Sequence, residues 1–122
     1  MGRDIRYLIC YGIEITKYYA YNKKNGKYIV NKKETDEDEL IKLGVETINL
    51  ENGYSYLILD NVSITFNVIR SSDSILEFGL KFDDNYKKFI NGIEENKEKI
   101  INFCLNYNID EKPMILELMI DR

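Results

Sequence analysis

Apolar residues alternate with others from Ile5 to Ile15. Ile5, Tyr7, Ile9, Tyr11, Ile13 and Ile15 share one face at period two, and Arg6, Leu8, Cys10, Gly12 and Glu14 share the other. That pattern predicts a strand covered in part on both sides. Carried on to Lys23 it would run about 60 Å, too long for a chain of 122 residues. A bend or bulge is therefore expected at Gly12 or near Thr16-Lys17. Asn25-Gly26 follows as a hairpin signal, because a type I′ turn needs positive φ at both central positions. It would pair residues 18–24 with 27–31.

"ETDEDELIKLGVE" predicts a helix of two turns. Thr35 is its expected N-cap, Asp36, Glu37 and Asp38 suit the positive end of the dipole, and Gly44 stops it. Leu40, Ile41 and Leu43 form its apolar face. Residues 45–82 predict a four-strand meander with two-residue turns at Asn52-Gly53 and Asp60-Asn61. Val62, Ile64, Phe66 and Val68 alternate with Ser63, Thr65 and Asn67, one buried face and one wet face. A turn is expected over residues 71–74, and Leu76, Phe78, Leu80 and Phe82 make a further apolar face.

A long helix is expected from Asn85 to about Tyr107, capped by Asp83 or Asp84. Tyr86, Phe89, Ile90, Ile93, Ile100, Ile101, Cys104 and Tyr107 follow three-and-four spacing, and Lys97 alone breaks the stripe. Gly92 inside it costs on the order of 1 kcal/mol relative to alanine. Asn108 and Pro113 end it, and Met114, Leu116, Leu118 and Ile120 close the chain as a strand. The expected fold is thus α+β in a single domain, 1–122. It has one mostly antiparallel sheet (N-terminal hairpin, four-strand meander, C-terminal strand), one long helix packed on one face, and one short helix. The element order resembles profilin-like and longin-like arrangements, a likeness of fold that carries no function.

Composition adds a compartment and an origin. The chain is 44% hydrophobic, enough for a core without disulfides. No run approaches the ~18 apolar residues of a membrane span. The first residues show neither a signal peptide nor a myristoylation pattern, so a cytoplasmic protein is expected, with Cys10 and Cys104 as free buried thiols. Ile, Lys, Asn and Tyr number 18, 13, 13 and 10. That bias reflects AT-rich codons, as in a low-GC bacterium, its phages or an AT-rich virus. The net charge of −4 conceals an uneven distribution. Residues 1–33 hold eight Lys/Arg against two acids, and the rest hold nine against nineteen. Such asymmetry fits either two kinds of partner or charges that neutralise each other within the fold.

The chain has no histidine, which removes Ser-His and Cys-His nucleophile pairs. Two separated cysteines make no zinc site, and no phosphate-binding glycine motif occurs. The acidic pairs Asp83/Asp84, Glu94/Glu95 and Asp110/Glu111 read as a cap, a solvated helix face and a turn. The acids of residues 34–39 read as a helix start rather than a metal site, since successive first-turn side chains diverge. No enzyme activity, metal or cofactor is expected. "FGLKF", residues 78–82, resembles the RNA-recognition-motif strand. Phe78 and Phe82 share a face with Leu76 and Leu80, which assigns them to the core.

The opening hairpin is the remaining lead. A two-residue loop sets Lys23 opposite Tyr28 and Tyr21 opposite Val30. One face then gathers Lys17, Tyr19, Tyr21, Lys23, Tyr28, Val30 and Lys32, with no acid between Glu14 and Glu34. Tyrosine offers large contact area at little entropy cost. We therefore expect a small protein-binding module of the inhibitor, immunity or anti-defence type, with Lys17, Tyr19, Tyr21, Lys23, Tyr28 and Lys32 as its partner face. Single-stranded nucleic acid held on that face is the alternative, and a self-assembling structural component is another. A protein partner is favoured, nucleic acid and a homo-oligomer remain possible partners, and no membrane is expected.

Overall fold

A computed structural model describes residues 5–67 and 72–121, with side chains over 6–65 and 84–120. The order is β1 (Ile5–Glu14), β2 (Tyr19–Asn22), β3 (Lys27–Val30), β4 (Lys33–Thr35), α1 (Glu37–Lys42), β5 (Val45–Asn49), β6 (Ser55–Asn67), α2 (Ser72–Asn106) and β7 (Met114–Asp121). The fold is α+β. The strands form two antiparallel sheets, β5-β6-β1-β7 and β2-β3-β4, where one sheet was expected. The break falls at the turn Thr16–Tyr18, where Tyr18 N–H donates to the Ile15 carbonyl at 2.8 Å. This turn separates the opening strand from the hairpin.

Two strands replace the four-strand meander. Asp60-Asn61 is no hairpin turn but a bulge inside the 13-residue β6. Cys10 pairs with Ser63 and Gly12 with Ile58, so Tyr11 alone faces residues 59–62. Asn61 takes φ 62, which asparagine tolerates, and Asp60 N–H donates to the Gly44 carbonyl at 3.0 Å, one step beyond the Val45–Leu59 pair of the β5–β6 register. The expected strand at residues 76–82 lies within α2, which starts at Ser72 rather than Asn85. Leu76 and Leu80, like Phe78 and Phe82, are also i,i+4 pairs, and a short apolar run fits both periods. "FGLKF" is accordingly helical. Val68 and Ser71 fall outside the described residues.

Gly12 marks the predicted bend. A Cβ there would lie 2.0 Å from the Leu57 carbonyl oxygen, so only glycine lets β1 and β6 approach at the bulge. One face of the β5-β6-β1-β7 sheet presents Ile9, Ile13, Leu57, Leu59, Val62 and Ile64 to Phe89, Ile93, Ile100, Phe103, Cys104 and Tyr107 of α2 and its end, forming the main core. On the other face Leu8, Cys10, Ile58 and Leu118 cluster with Ile48 and Leu50 from one edge and Leu116 and Ile120 from the other. β5 and β7 are the outer strands of this sheet, and both contribute side chains to that second cluster. Gly92 of α2 packs on β6, where a Cβ would lie 3.2 Å from Val62 Cγ1.

The end of α2 fixes the small sheet. Ile109 N–H donates to the Cys104 carbonyl at 2.9 Å and Asn108 N–H to that of Leu105 at 3.4 Å. With Asn108 at φ 54, this is a Schellman cap. Two further carbonyls, of Tyr107 and Asn108, accept from Asn31 Nδ2 at 2.6 and 3.0 Å. The Lys33 ammonium donates to the Asn106 carbonyl and lies 5.5 Å from the Tyr107 ring centroid. A cation at a helix C-terminus opposes the negative end of the dipole. The β3–β4 connection is thus bolted to the helix terminus.

Candidate functional site: a cleft of tyrosines and carboxylates

The hairpin turn differs from the two-residue loop expected at Asn25-Gly26. Asn22 pairs with Lys27 and Tyr21 with Tyr28, leaving a four-residue loop over 23–26. It is closed by Gly26 N–H donating to the Asn22 carbonyl at 2.9 Å. The Asn22 and Asn25 side chains accept from Lys24 and Lys27 N–H. The turn with positive φ at both central residues is instead Asn31-Lys32, φ 49 and 71, between β3 and β4. The register has moved by two residues, and an even shift keeps every strand side chain on its expected face.

Tyr19, Tyr21 and Tyr28 therefore do share a face. Ring centroids lie 5.8 Å apart for Tyr19 and Tyr28 and 5.5 Å for Tyr21 and Tyr28. That face points inward. Its Val30 is fully buried, and Tyr19 and Tyr28 pack on the main core. The Tyr19 hydroxyl accepts from Asn49 Nδ2 at 3.4 Å. Of the three, Tyr21 is the exposed one.

The lysines do not join them. Lys23 sits in the loop and Lys32 in the tight turn, both off the strands. Lys17 lies in the Thr16–Tyr18 turn, 3.5 Å from Glu111 Oε1 and 5.1 Å from the Tyr18 ring centroid. Those neighbours, Tyr18 before Glu111, raise its pKa. What borders the tyrosines is acidic. A cleft of about 240 Å³ is lined by Tyr28, Glu37, Leu40, Ile41, Val45, Glu46, Thr47 and Asp60. Burial first, then Tyr19, Glu37 and Tyr21, push the Tyr28 phenol up.

Each wall of this cleft has a local cause. Asp36, not Thr35, caps α1: its Oδ1 accepts from Glu39 N–H at 2.8 Å. Thr35 instead ends β4, opposite Tyr28. The cap sets Glu37 and Ile41 beside β5, and Gly44 at φ 77 turns the chain into it. Glu46 pairs across with Ile58, two residues before Asp60 and the bulge. Partial desolvation, and after it the Asp60 carboxyl, raise the pKa of Glu46. None of Glu37, Glu46 and Asp60 forms an ion pair with a described residue.

Cys10 and Cys104 are free and buried, as expected, and burial first, then Glu46, pushes the Cys10 thiol up to about 12. Among the described residues no group of three acidic or thiol side chains is placed to hold a metal ion. None of their helices is long and apolar enough to cross a membrane. Comparison with protein-family models, with curated proteins and with solved structures gave no match. Tyr19, Tyr21 and Tyr28 were visible from period two. Glu37 stood in a visible acidic run, whereas the meeting of Glu46 and Asp60 depends on the β5–β6 register, which sets Glu46 opposite Ile58, and had no local signal.

Proposed function

We propose that this protein is a small protein-binding module, of the inhibitor or immunity type, that docks a basic segment of its partner against the cleft of Tyr28, Glu37, Glu46 and Asp60. The observation that carries this reading is three carboxyls with no ion-pair partner among the described residues, beside clustered tyrosines and the exposed Tyr21 and Ile41. Aromatic anchors with a charged surround are the usual makings of an interface centre. Clustered tyrosine faces and carboxylates both attract a lysine or arginine side chain. The nucleic-acid alternative needs lysines and tyrosines on one face, and Lys17, Lys23 and Lys32 stand apart from the tyrosines. The separation of these groups favours a protein.

The test is parallel affinity capture from the encoding organism with the wild-type chain and with Tyr21→Ala/Glu37→Lys, both substitutions at exposed positions. Mass spectrometry should find one protein enriched at least tenfold by the wild type and lost with the variant. Equal recovery by both chains would refute this docking face. Recovery of RNA or DNA, with binding that weakens steeply with salt and is lost on changing Lys17, Lys23 and Lys32 to Glu, would favour the alternative.

One observation supports self-assembly as a second reading. β7 pairs with β1 alone among the described strands, and Met114, Ile115 and Met119 along it are exposed. Open apolar edges pair with other strands. Sedimentation over a concentration series checks it: a dimer abolished by Met119→Lys supports this reading, and a monomer throughout refutes it.

A further inference from the structure

β6 is paired along its whole length on one side only. β1 follows it as far as Asn67. On the other side β5 pairs with it from Ser55 to Leu59. The chain before Val45 belongs to the Gly44 turn and α1, so β6 loses that neighbour after Asp60. Over residues 61–65 no described strand lies on the side away from β1. Backbone N–H and C=O groups alternate between the two sides of a strand. Alternate residues of 61–65 therefore direct theirs outward, and no described backbone bond outside the β1 ladder reaches them. This open edge borders a groove of about 280 Å³, lined by residues 61–65 and by Asn85, Lys88, Phe89 and Gly92 of α2. Val62, Ile64 and Phe89 are its buried apolar part, while Ser63, Thr65, Asn85 and Lys88 are exposed. No acid lines it, and Lys88 forms no ion pair with a described residue. The run Asn-Val-Ser-Ile-Thr carries no charge and no proline, the features that commonly keep an edge from pairing.

We propose that this groove takes an extended acidic segment of a partner protein as an added strand along residues 61–65. The outward backbone groups supply the pairing, which gives such complexes their affinity, and alternate side chains give specificity. On the α2 side those side chains meet the apolar surface of Val62, Ile64 and Phe89 and the ammonium of Lys88. A segment that presents apolar residues and one carboxylate at period two fits both. The uncompensated lysine selects against a basic segment. This surface is opposite in charge to the Tyr28 cleft, from which the bulge at Asp60-Asn61 divides it. The inference therefore goes beyond the docking reading above and does not rest on it.

The probe is the blocked hexapeptide VTVTET, whose valines and glutamate share one face, titrated at low salt into the full chain with backbone amide shifts as the readout. Saturable shifts centred on residues 61–65 and on Lys88 are expected, with affinity at least fivefold above that for VTVTKT. Lys88→Glu, at an exposed helix position, should reverse that preference with the fold intact. Two further peptides, N-methylated at the three Thr or at the Val and Glu residues, test the backbone pairing. One set of N–H groups faces the β6 edge and the other faces away, so one methylated peptide should bind at least tenfold more weakly than the other. The proposal is overturned by no saturable shift at residues 61–65, by equal binding of VTVTET and VTVTKT, or by equal effects of the two methylated sets. Shifts at residues 61–65 on concentrating the chain without peptide would assign the edge to a second copy and likewise overturn it. None of those outcomes touches the result of partner capture at the Tyr28 cleft.

Discussion

Glu46 shows how one residue's chemistry depends on distant pairing. Alone on a strand it would be an ordinary exposed acid. Pairing with Ile58 brings it beside Asp60, and desolvation together with that neighbour raises its pKa. The fold thus favours its protonated form. A carboxyl whose folded pKa exceeds the unfolded value stabilises the fold fully below the unfolded value, and that contribution is lost as pH rises through the folded one. At neutral pH the ionised group therefore opposes folding. Glu46→Gln, which keeps the shape and removes the charge, should be more stable than the wild type at pH 7–8. The pH-dependent part of the difference should shrink as pH falls and vanish only below the ordinary glutamate range of about 4.3. Urea denaturation of both chains across that range checks this, and a difference that grows on acidification would refute the assignment.

At the scale of elements, two helix ends and two turns decide the architecture, and they were unequally legible. Gly44 and Asn108 were readable as helix ends because each needs a left-handed conformation that glycine or asparagine adopts. Asn25-Gly26 was readable as a turn, but its length was not: Asn22 and Asn25 both accept backbone N–H groups and hold a longer loop. Asn31-Lys32 escaped notice because lysine is an unfavourable residue for positive φ. Its conformation is held from outside by the helix terminus. Asn31 has two tasks, a left-handed backbone and two hydrogen bonds to the Tyr107 and Asn108 carbonyls. Asn31→Ala should cost about 2–3 kcal/mol, combining lost hydrogen bonds with backbone strain. Asn31→Gly relieves the strain and should cost less, about 1–2 kcal/mol. Denaturant midpoints for the two variants separate the contributions; equal losses would mean that the backbone conformation carries no cost. The strand face of Tyr19, Tyr21 and Tyr28 was legible for a different reason. Strand period survives an even error in register, whereas a misjudged loop still displaces Lys23 from the face.

Across the molecule the basic first third and the acidic remainder meet. Lys17 pairs with Glu111, Lys27 with Glu34, and Lys33 caps α2. Exposed pairs of this kind are screened by solvent and contribute little, so charge orients the small sheet more than it holds it. The holding force is apolar. One cluster includes Ile9 of β1, Val30 of β3, Leu40 of α1, Val45 of β5, Leu57 of β6 and Phe103 of α2, so both sheets share a core. Phe103 is fully enclosed there and stacks on Tyr107 with centroids 4.1 Å apart. Tyr107 is the residue whose carbonyl Asn31 holds, which links core packing to the β3–β4 turn. Phe103→Ala should therefore lower stability by about 3–5 kcal/mol. The loss should be felt equally in both sheets, since neither has a core of its own on that side. In hydrogen exchange, the slowest amides of β3 and of β6 should lose protection by the same free energy, as for one cooperative unit. If β3 amides exchange by an opening that leaves β6 protected, in wild type and variant alike, the small sheet is a separate unit and the shared core does not couple them.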